Sequence, residues 1–189
     1  MSEIIKPYDT EVSYLNDKIQ GKAVNFLTRN FDNIKDIFED ASSLTEEDKA
    51  KIAYEVESFL PEEEGTEGGL FFGMTRLMPG KVGEEYNMTK GHFHSKIATA
   101  EFYWGIEGEG LLLLMDENRK VSAQKVYPGS LNYVPRNIAH RMVNVGEKVL
   151  AFGACWPSDA GHNYGTIATD GFAAKVIEQD GKPVIIKKD

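Results

Sequence analysis

The spacing of the four histidines is the strongest chemical signal in the chain. His92 and His94 flank Phe93. Because successive side chains of an extended chain point to opposite faces, both imidazoles are expected on the same face. Neighbouring imidazole nitrogens suit a divalent first-row metal. Strand alternation also produces such pairs at surface or hydrogen-bonded core positions, so the pair alone leaves metal binding open.

Two further residues can complete a metal site. Glu101 follows His94 by seven residues, at the start of the apolar run 101–104, and can supply a carboxylate from a neighbouring strand. His140 follows Val134 after a turn. Three imidazoles and one carboxylate suit a divalent ion with open positions for water or substrate oxygens. The sequence therefore predicts one divalent metal per chain, held by His92, His94, Glu101 and His140.

Most of the chain after residue 51 consists of short apolar or alternating runs separated by Gly, Pro, Asn and Asp. About ten strands at this spacing predict an all-β sandwich or barrel. The predicted strands are 54–59, 70–78, 101–106, 110–115, 120–126, 131–134, 141–145, 149–154, 173–178 and 183–187.

Residues 1–50 have a different pattern, and we interpret them as an N-terminal arm on a barrel domain formed by residues 51–189. Apolar side chains recur three or four residues apart, which predicts a helical stripe. Thr45 followed by acidic residues predicts the start of a second short helix. So much apolar surface is expected to pack on the barrel or across a two-fold interface. The stripe consists of Val24, Leu27, Phe31, Ile34, Ile37 and Phe38.

Composition excludes several classes of protein. The formal net charge of −9 opposes binding to nucleic acid or to an anionic membrane surface. The sequence has no apolar run of 18 residues and no basic, hydrophobic secretory signal at its start, so a cytoplasmic protein is expected. A lone cysteine, Cys155, excludes an internal disulfide and a cysteine-based zinc cage.

Two blocks around the predicted ligands resemble the paired motifs of the cupins. The first runs from His92 through Glu101 to Gly108, and the second begins at Gly129. The match has departures, since Asn137 stands where the family usually has Gly and six residues separate His94 from Glu101. The second block contains Gly129, Pro135, Asn137, His140 and Asn144.

Three segments narrow this resemblance to one branch of the cupins. Residues 79–83, 89–94 and 159–167 are similar to those of the cupin-type glucose-6-phosphate isomerases of archaea and some bacteria. The resemblance extends from about Tyr54 to the C-terminus and implies a double-stranded β-helix, or jelly-roll barrel, with an N-terminal arm containing short helices. It also implies a metal-dependent homodimer that interconverts glucose 6-phosphate and fructose 6-phosphate in glycolysis and gluconeogenesis. Fe²⁺ is the expected metal, with Mn²⁺, Ni²⁺ and Zn²⁺ as alternatives.

The resemblance also implies roles for residues outside the metal set. Glu101, His162 and Tyr103 are the expected catalytic residues. Trp156 replaces a tyrosine of the related isomerases, so one phosphate-binding hydroxyl is missing or replaced. The hydrogen transfer can proceed as a proton through an enediol or as a hydride between carbons, and both routes stay open. The residues expected around the sugar phosphate are Tyr54, Thr75, Thr89, Gly91 and Tyr164.

Two other functions remain as alternatives. A cupin dioxygenase can use the same three histidines and one glutamate to hold iron, and a sugar-binding cupin can lack catalysis altogether. An oxygenase has no need of the segments 89–91 and 162–164, which favours the isomerase. A passive binder is favoured by loss of a metal ligand, and all four ligands are present here.

Overall fold

Antiparallel β-strands dominate the computed structural model, which describes residues 10–13, 18–21 and 24–188. The strands are β1 (Thr10–Ser13), β2 (Lys18–Gly21), β3 (Val24–Asn30), β4 (Ile52–Phe59), β5 (Leu70–Leu77), β6 (Lys81–Val82), β7 (Glu85–Tyr86), β8 (Glu101–Glu107), β9 (Gly110–Met115), β10 (Val121–Val126), β11 (Leu131–Val134), β12 (Ala139–Asn144), β13 (Leu150–Pro157), β14 (Ala174–Gln179) and β15 (Lys182–Lys187). The α-helices are α1 (Phe31–Ile34), α2 (Glu46–Ala50) and α3 (Gly165–Asp170), with 3₁₀ turns at Lys35–Ile37 and Ala41–Ser43. Within the described part of the chain, no helix is long and apolar enough to cross a membrane.

The strands form two layers around one apolar core. The larger layer is a six-stranded sheet in the order β11-β8-β13-β5-β4-β3. The other layer contains the three-stranded sheet β10-β9-β12 and the four-stranded sheet β15-β14-β7-β6, while β1 and β2 form a separate hairpin. The core cluster joins Leu77 and Phe152 of the larger sheet to Leu112, Met142 and Val176 of the other layer. The all-β prediction is therefore confirmed.

All ten predicted strands are present, with ends that differ by at most three residues. Five strands were not predicted, namely β1, β2, β3, β6 and β7. Strands β6 and β7 have two residues each, which is too short for a period of two to be visible.

The predicted helical stripe is wrong over its first half. Residues 24–30 form β3, which pairs in an antiparallel manner with β4 from Val24 opposite Phe59 onwards. Pairing with the free edge of β4 supplies main-chain hydrogen bonds that outweigh a weak helical pattern. Asn30 ends the strand by capping α1, with its side chain accepting a hydrogen bond from the Asn33 backbone N–H at 3.0 Å.

The second half of the stripe packs on the barrel, as expected. Phe31, Ile34 and Phe38 are buried in the core cluster, whereas Phe26 on β3 is 72% exposed. The predicted helix start at Thr45 is confirmed, because α2 begins at the next residue and Thr45 Oγ1 accepts a hydrogen bond from the Asp48 backbone N–H at 3.1 Å. The division between an arm, 1–50, and a barrel, 51–189, stays a prediction.

Candidate active site

One face of the six-stranded sheet forms the floor of a cavity of about 350 Å³. The residues of this floor lie side by side because the strands that carry them are in register. One row consists of Tyr103, Ala154, Gly73 and Ser58. The next row consists of Phe152, Thr75, Val56 and Leu27.

The wall opposite the floor contains the segment that precedes β8. This segment is attached to β12 by isolated bridges, which pair Met88 with Val143 and His92 with His140. The His92 backbone N–H donates to the His140 carbonyl at 3.2 Å, and the His140 N–H donates to the His92 carbonyl at 3.0 Å. This pairing brings the two imidazole centroids to 4.4 Å from each other.

The histidines form a compact group with Glu101. The ligand atoms of His92, His94 and His140 all lie within 4.8 Å of one another. Glu101, the first residue of β8, is 5% exposed, with Oε2 3.2 Å from His94 Nε2 and Oε1 2.9 Å from His140 Nε2. The structure thus brings the four predicted ligands together, and their role as ligands stays a prediction.

The bonding of this group fits a divalent cation. Within the described residues, three buried atoms of the group have no hydrogen-bond partner: His92 Nε2, His140 Nε2 and Glu101 Oε1. The short contact between Glu101 and His140 is close enough for an ion pair but lacks the geometry of a hydrogen bond. Buried polar atoms are normally partnered. A cation bound between two imidazole nitrogens and a carboxylate oxygen would satisfy all three atoms at once.

A threonine that sequence reasoning missed orients one of these imidazoles. The Thr99 hydroxyl donates to the Lys96 carbonyl at 2.7 Å, so its oxygen is available as an acceptor 2.9 Å from His94 Nδ1. The Thr99 carbonyl also lies 3.3 Å from Nδ1. With two acceptors beside it, Nδ1 carries the proton, and the Nε2 lone pair points to the site. Residues 95–99 form no regular element, so their sequence gave no indication of this contact.

Charge and burial set the protonation states near the carboxylate. Burial acts to raise the pKa of Glu101, but the charge of His140 and hydrogen bonds from the surrounding side chains lower that pKa well below its ordinary value. Burial and the Glu101 charge raise the pKa of Tyr103 well above its ordinary value. The phenol therefore stays protonated beside the Glu101 carboxylate.

The histidines differ in their protonation. Burial, together with the charges of His140 and His162, lowers the pKa of His92 well below its ordinary value. Burial also lowers the pKa of His162. Burial acts to lower the pKa of His94 as well, but its contact with Glu101 outweighs this effect and raises the pKa. Without a cation, a proton on His94 Nε2 would therefore lie between this nitrogen and Oε2 of the Glu101 carboxylate.

Hydroxyl and backbone groups before His92 also line the cavity. The Thr89 backbone N–H donates to the Met142 carbonyl at 2.9 Å, and Thr89 Oγ1 accepts from the Met142 N–H at 3.0 Å. The hydroxyl hydrogen of Thr89 is thus not needed for that bond. Gly91 has φ +75°, and a Cβ there would lie 3.0 Å from Arg141 side-chain atoms, so a larger residue does not fit.

The segment after β13 contributes His162 and Tyr164 to the cavity lining, beside His92. The rings of His162 and Tyr164 stack at 8° with centroids 6.0 Å apart, and the His162 centroid lies 4.5 Å from that of His92. Lys90 Nζ lies 5.0 Å from the Tyr164 ring centroid, within range of a cation–π contact. Main-chain bonds between Phe93 and Asn163 hold the segment beside the histidines.

Most predicted site residues line the cavity directly. They are Tyr54, Thr75, Thr89, Gly91, His92, Glu101, Tyr103, His162 and Tyr164. His94 and His140 do not line it, but their ligand atoms lie within 4.8 Å of that of His92. The lining residues that the sequence did not single out are Leu27, Val56, Ser58, Gly73, Lys90, Phe152 and Ala154. Because alternate residues of a strand share a face, Tyr54 and Thr75 indicate that Val56, Ser58 and Gly73 also face the cavity. Alternation within one strand does not indicate that Leu27, Phe152 and Ala154 on other strands do so.

Trp156 also lines the cavity. A Cβ on Gly73 would lie 3.0 Å from two carbons of the Trp156 ring, so the absence of a side chain at Gly73 leaves space for the indole. The indole also packs edge-on against Phe71, with centroids 6.0 Å apart. The indole of Trp156 is therefore held in this wall by Gly73 and Phe71.

Three residues of the two cupin-like blocks, Gly108, Gly129 and Asn137, share a backbone conformation with positive φ. Gly108 and Gly129 have φ of +75° and +87°, and Asn137 has φ of +64°. Asparagine is one of the few non-glycine residues that tolerate this left-handed region. This explains why Asn137 can stand where the family usually has glycine.

The antiparallel barrel, with a histidine group opening into its cavity, is that of the cupin class, as predicted. Comparison of the sequence with known proteins identifies the family within this class. A family model described as glucose-6-phosphate isomerase matches residues 28–189. The chain therefore belongs to the glucose-6-phosphate isomerase family.

Individual relatives agree with the family match. The chain is 45% identical over 149 residues to the glucose-6-phosphate isomerase of Thermococcus litoralis, covering 79% of this chain and 77% of the relative. It is 38% identical over 183 residues to that of Pyrococcus furiosus, covering 96% and 95%. Solved structures with a distant resemblance include an oxalate oxidase in complex with glycolate, with a TM-score of 0.46 and 12% identity over 77% of this chain and 56% of that one.

Proposed function

We propose that the chain interconverts glucose 6-phosphate and fructose 6-phosphate with the help of one divalent metal. The observation that carries this proposal is that a single cavity is lined both by His92 and Glu101 of the histidine and carboxylate group and by Thr75, Thr89 and Gly91. A sugar phosphate needs both sets of residues, because its C1 and C2 oxygens react while its phosphate is only bound.

The proposed metal ligands are His92, His94, Glu101 and His140. A divalent ion held there would polarise the C1 and C2 oxygens of the substrate as a Lewis acid. We propose Fe²⁺ as the metal, with Mn²⁺, Ni²⁺ and Zn²⁺ as alternatives, since imidazole with one carboxylate suits each of these ions.

Glu101 and Tyr103 are the proposed catalytic residues for hydrogen transfer. Glu101 is ionised. We propose that its carboxylate accepts a proton from a substrate hydroxyl and returns it. The Tyr103 phenol, whose raised pKa keeps it protonated, is proposed to assist as a donor beside that carboxylate. His162 has a lowered pKa and lies beside His92, so it is the proposed neutral base for opening the sugar ring.

The phosphate end is proposed to consist mainly of neutral donors. Thr75 and Thr89 supply hydroxyls, Gly91 allows close approach of the backbone, and Tyr54 and Tyr164 enclose the sugar. Burial raises the pKa of both tyrosines, so their phenols stay protonated and can donate. Trp156 has an indole N–H but no hydroxyl to offer at its position on the wall.

A single assay tests this function. Metal-replete and chelated protein are incubated with fructose 6-phosphate, and glucose 6-phosphate is measured together with dissolved oxygen. Metal-dependent formation of glucose 6-phosphate without oxygen consumption is the expected result. Oxygen consumption without isomerisation would favour a cupin dioxygenase. Binding of the sugar phosphate without turnover at full metal occupancy would favour a non-catalytic sugar-binding protein.

We also propose a cytoplasmic homodimer acting in glycolysis and gluconeogenesis. The cellular assignment is supported by the phosphorylated sugar that the family name implies. The dimer is supported by exposed aromatic side chains on the outer face of the larger sheet, where Phe102 and Tyr133 are each 46% exposed and pack on one another at 5.1 Å. Sedimentation of a monomer at micromolar concentration would remove the dimer from the proposal.

A further inference from the structure

Arg141 is a buried cation to which the proposed function gives no role. It lies on β12 between His140 and Met142 and is only 4% exposed. Across the described ranges, no carboxylate oxygen lies within 4.0 Å of its guanidinium, and Glu85 influences it only from a greater distance. An arginine buried without a close counter-ion is costly, so a use for its charge is expected.

The hydrogen bonds of Arg141 point to one backbone segment. Its Nη2 donates to the Lys90 carbonyl at 2.7 Å, and its Nη1 lies 3.1 Å from Met88 Sδ, a weak acceptor. Its Nε has no partner among the residues described. The guanidinium carbon lies 4.5 Å from the centroid of the Phe172 ring, which fixes the plane of the group. The strongest contact of Arg141 is therefore with the segment that precedes the histidines.

That segment separates Arg141 from the cavity. Thr89, Lys90 and Gly91 line the cavity, and Arg141 does not. A Cβ on Gly91 would lie 3.0 Å from both Cβ and Nε of Arg141, so the guanidinium lies directly behind Gly91. Because Met142 bonds the backbone and the hydroxyl of Thr89, β12 holds the segment at two successive residues.

We propose that Arg141 is a positioning residue for the substrate phosphate. It fixes the segment Thr89–Gly91 through the Lys90 carbonyl and supplies positive charge from behind it. A dianionic phosphate needs such a local charge in a chain whose formal net charge is −9. A charge in a buried, low-dielectric position acts more strongly on the cavity than one in water. This inference rests on the proposed function, because it assumes that phosphate binds at this segment.

The test compares two unreactive polyols, glucitol 6-phosphate and glucitol, by calorimetry on metal-loaded protein. In Arg141→Met, the dissociation constant of glucitol 6-phosphate is expected to rise about 10- to 100-fold, the range for losing hydrogen bonds made by a charged group. The constant for glucitol and the metal content are expected to stay unchanged. For turnover of fructose 6-phosphate, KM is expected to rise far more than kcat falls. Arg76→Met is the matched control, because Arg76 is also largely buried but pairs with Glu55 and Glu57 away from the cavity lining.

The outcomes separate this inference from the function on which it rests. If the wild-type protein binds both polyols equally, the phosphate site itself is wrong. If the wild type prefers the phosphorylated polyol and Arg141→Met keeps the full preference, only the role of Arg141 is wrong. Should Arg141→Met not fold, Arg141→Lys decides, since lysine keeps the charge but cannot make the same pair of contacts. Arg141→Lys is expected to lose the preference for glucitol 6-phosphate over glucitol severalfold. An unchanged preference in this variant would overturn the positioning role.

Discussion

The hydroxyl oxygen of Thr99 accepts a hydrogen bond from Nδ1 of His94 across 2.9 Å, because its own hydrogen is donated to the Lys96 carbonyl. This fixes the tautomer of His94 and aims its other nitrogen at the proposed metal site. Contacts of this kind orient metal ligands and raise their basicity.

Thr99→Val is expected to weaken metal binding, because valine keeps the shape of the side chain but cannot accept the Nδ1 proton. The loss should be about 10- to 100-fold in metal affinity. Competition with a chromophoric chelator measures this affinity without relying on activity. Thr99→Ser is the matched control and should keep near-normal affinity. Equal affinities for Thr99→Val and the wild type would show that the backbone carbonyl of residue 99 orients His94 alone.

His140→Ala is expected to abolish stoichiometric metal binding. The change removes one of three imidazoles whose ligand atoms lie within 4.8 Å of one another. Elemental analysis of the purified variant is the measurement. His162→Ala is a suitable control, because that ring lies near His92 but outside the ligand group, and this variant should keep its metal. Full metal occupancy in His140→Ala would refute the assignment of the ligand set.

Glu101→Gln is expected to lower kcat far more than it raises KM. Glutamine keeps the size and one metal-binding oxygen, but it loses the negative charge and most of the basicity that proton transfer needs. Steady-state kinetics should be measured with metal content in parallel. An unchanged kcat at full occupancy would reduce Glu101 to a structural ligand and would favour the hydride shift between carbons over the enediol route.

Thr89→Val is expected to weaken binding of the phosphorylated substrate by about 1–3 kcal/mol, the cost of leaving a charged group without one donor. The Met142 N–H also loses its acceptor, which lowers the stability of the fold equally with and without the substrate. Inhibition constants of glucitol 6-phosphate and glucitol separate the phosphate from the sugar. Thr89→Ser keeps the hydroxyl and should stay close to the wild type. Equal losses for both polyols would indicate a general distortion of the cavity instead.

The sequence predicted those parts of the site that depend on local spacing. Alternation placed His92 and His94 together, and the cupin motifs connected them to Glu101 and His140. Short apolar or alternating runs bounded by turn residues also located ten strands. These features need only a few neighbouring residues, so they can be recognised without the fold.

The remaining features of the site depend on which strands pair and in which register. The spacing of residues along the chain does not determine this pairing. Leu27 was assigned to a helix, and only the pairing of β3 with β4 brings it to the cavity floor. Arg141 resembles an ordinary strand residue in sequence. Its burial behind Gly91 follows from the pairing of His92 with His140, which joins segments far apart in the chain.

That same pairing makes the proposed metal a cross-link within the fold. His92 and His94 precede β8, Glu101 begins β8, and His140 lies on β12, so one ion would tie together segments that are separate in the unfolded chain. A ligand that binds only the folded state stabilises it by mass action, by about 2.7 kcal/mol at a hundred times its dissociation constant. The melting temperature should therefore rise with the concentration of free metal, and resistance to heat becomes a measure of metal supply.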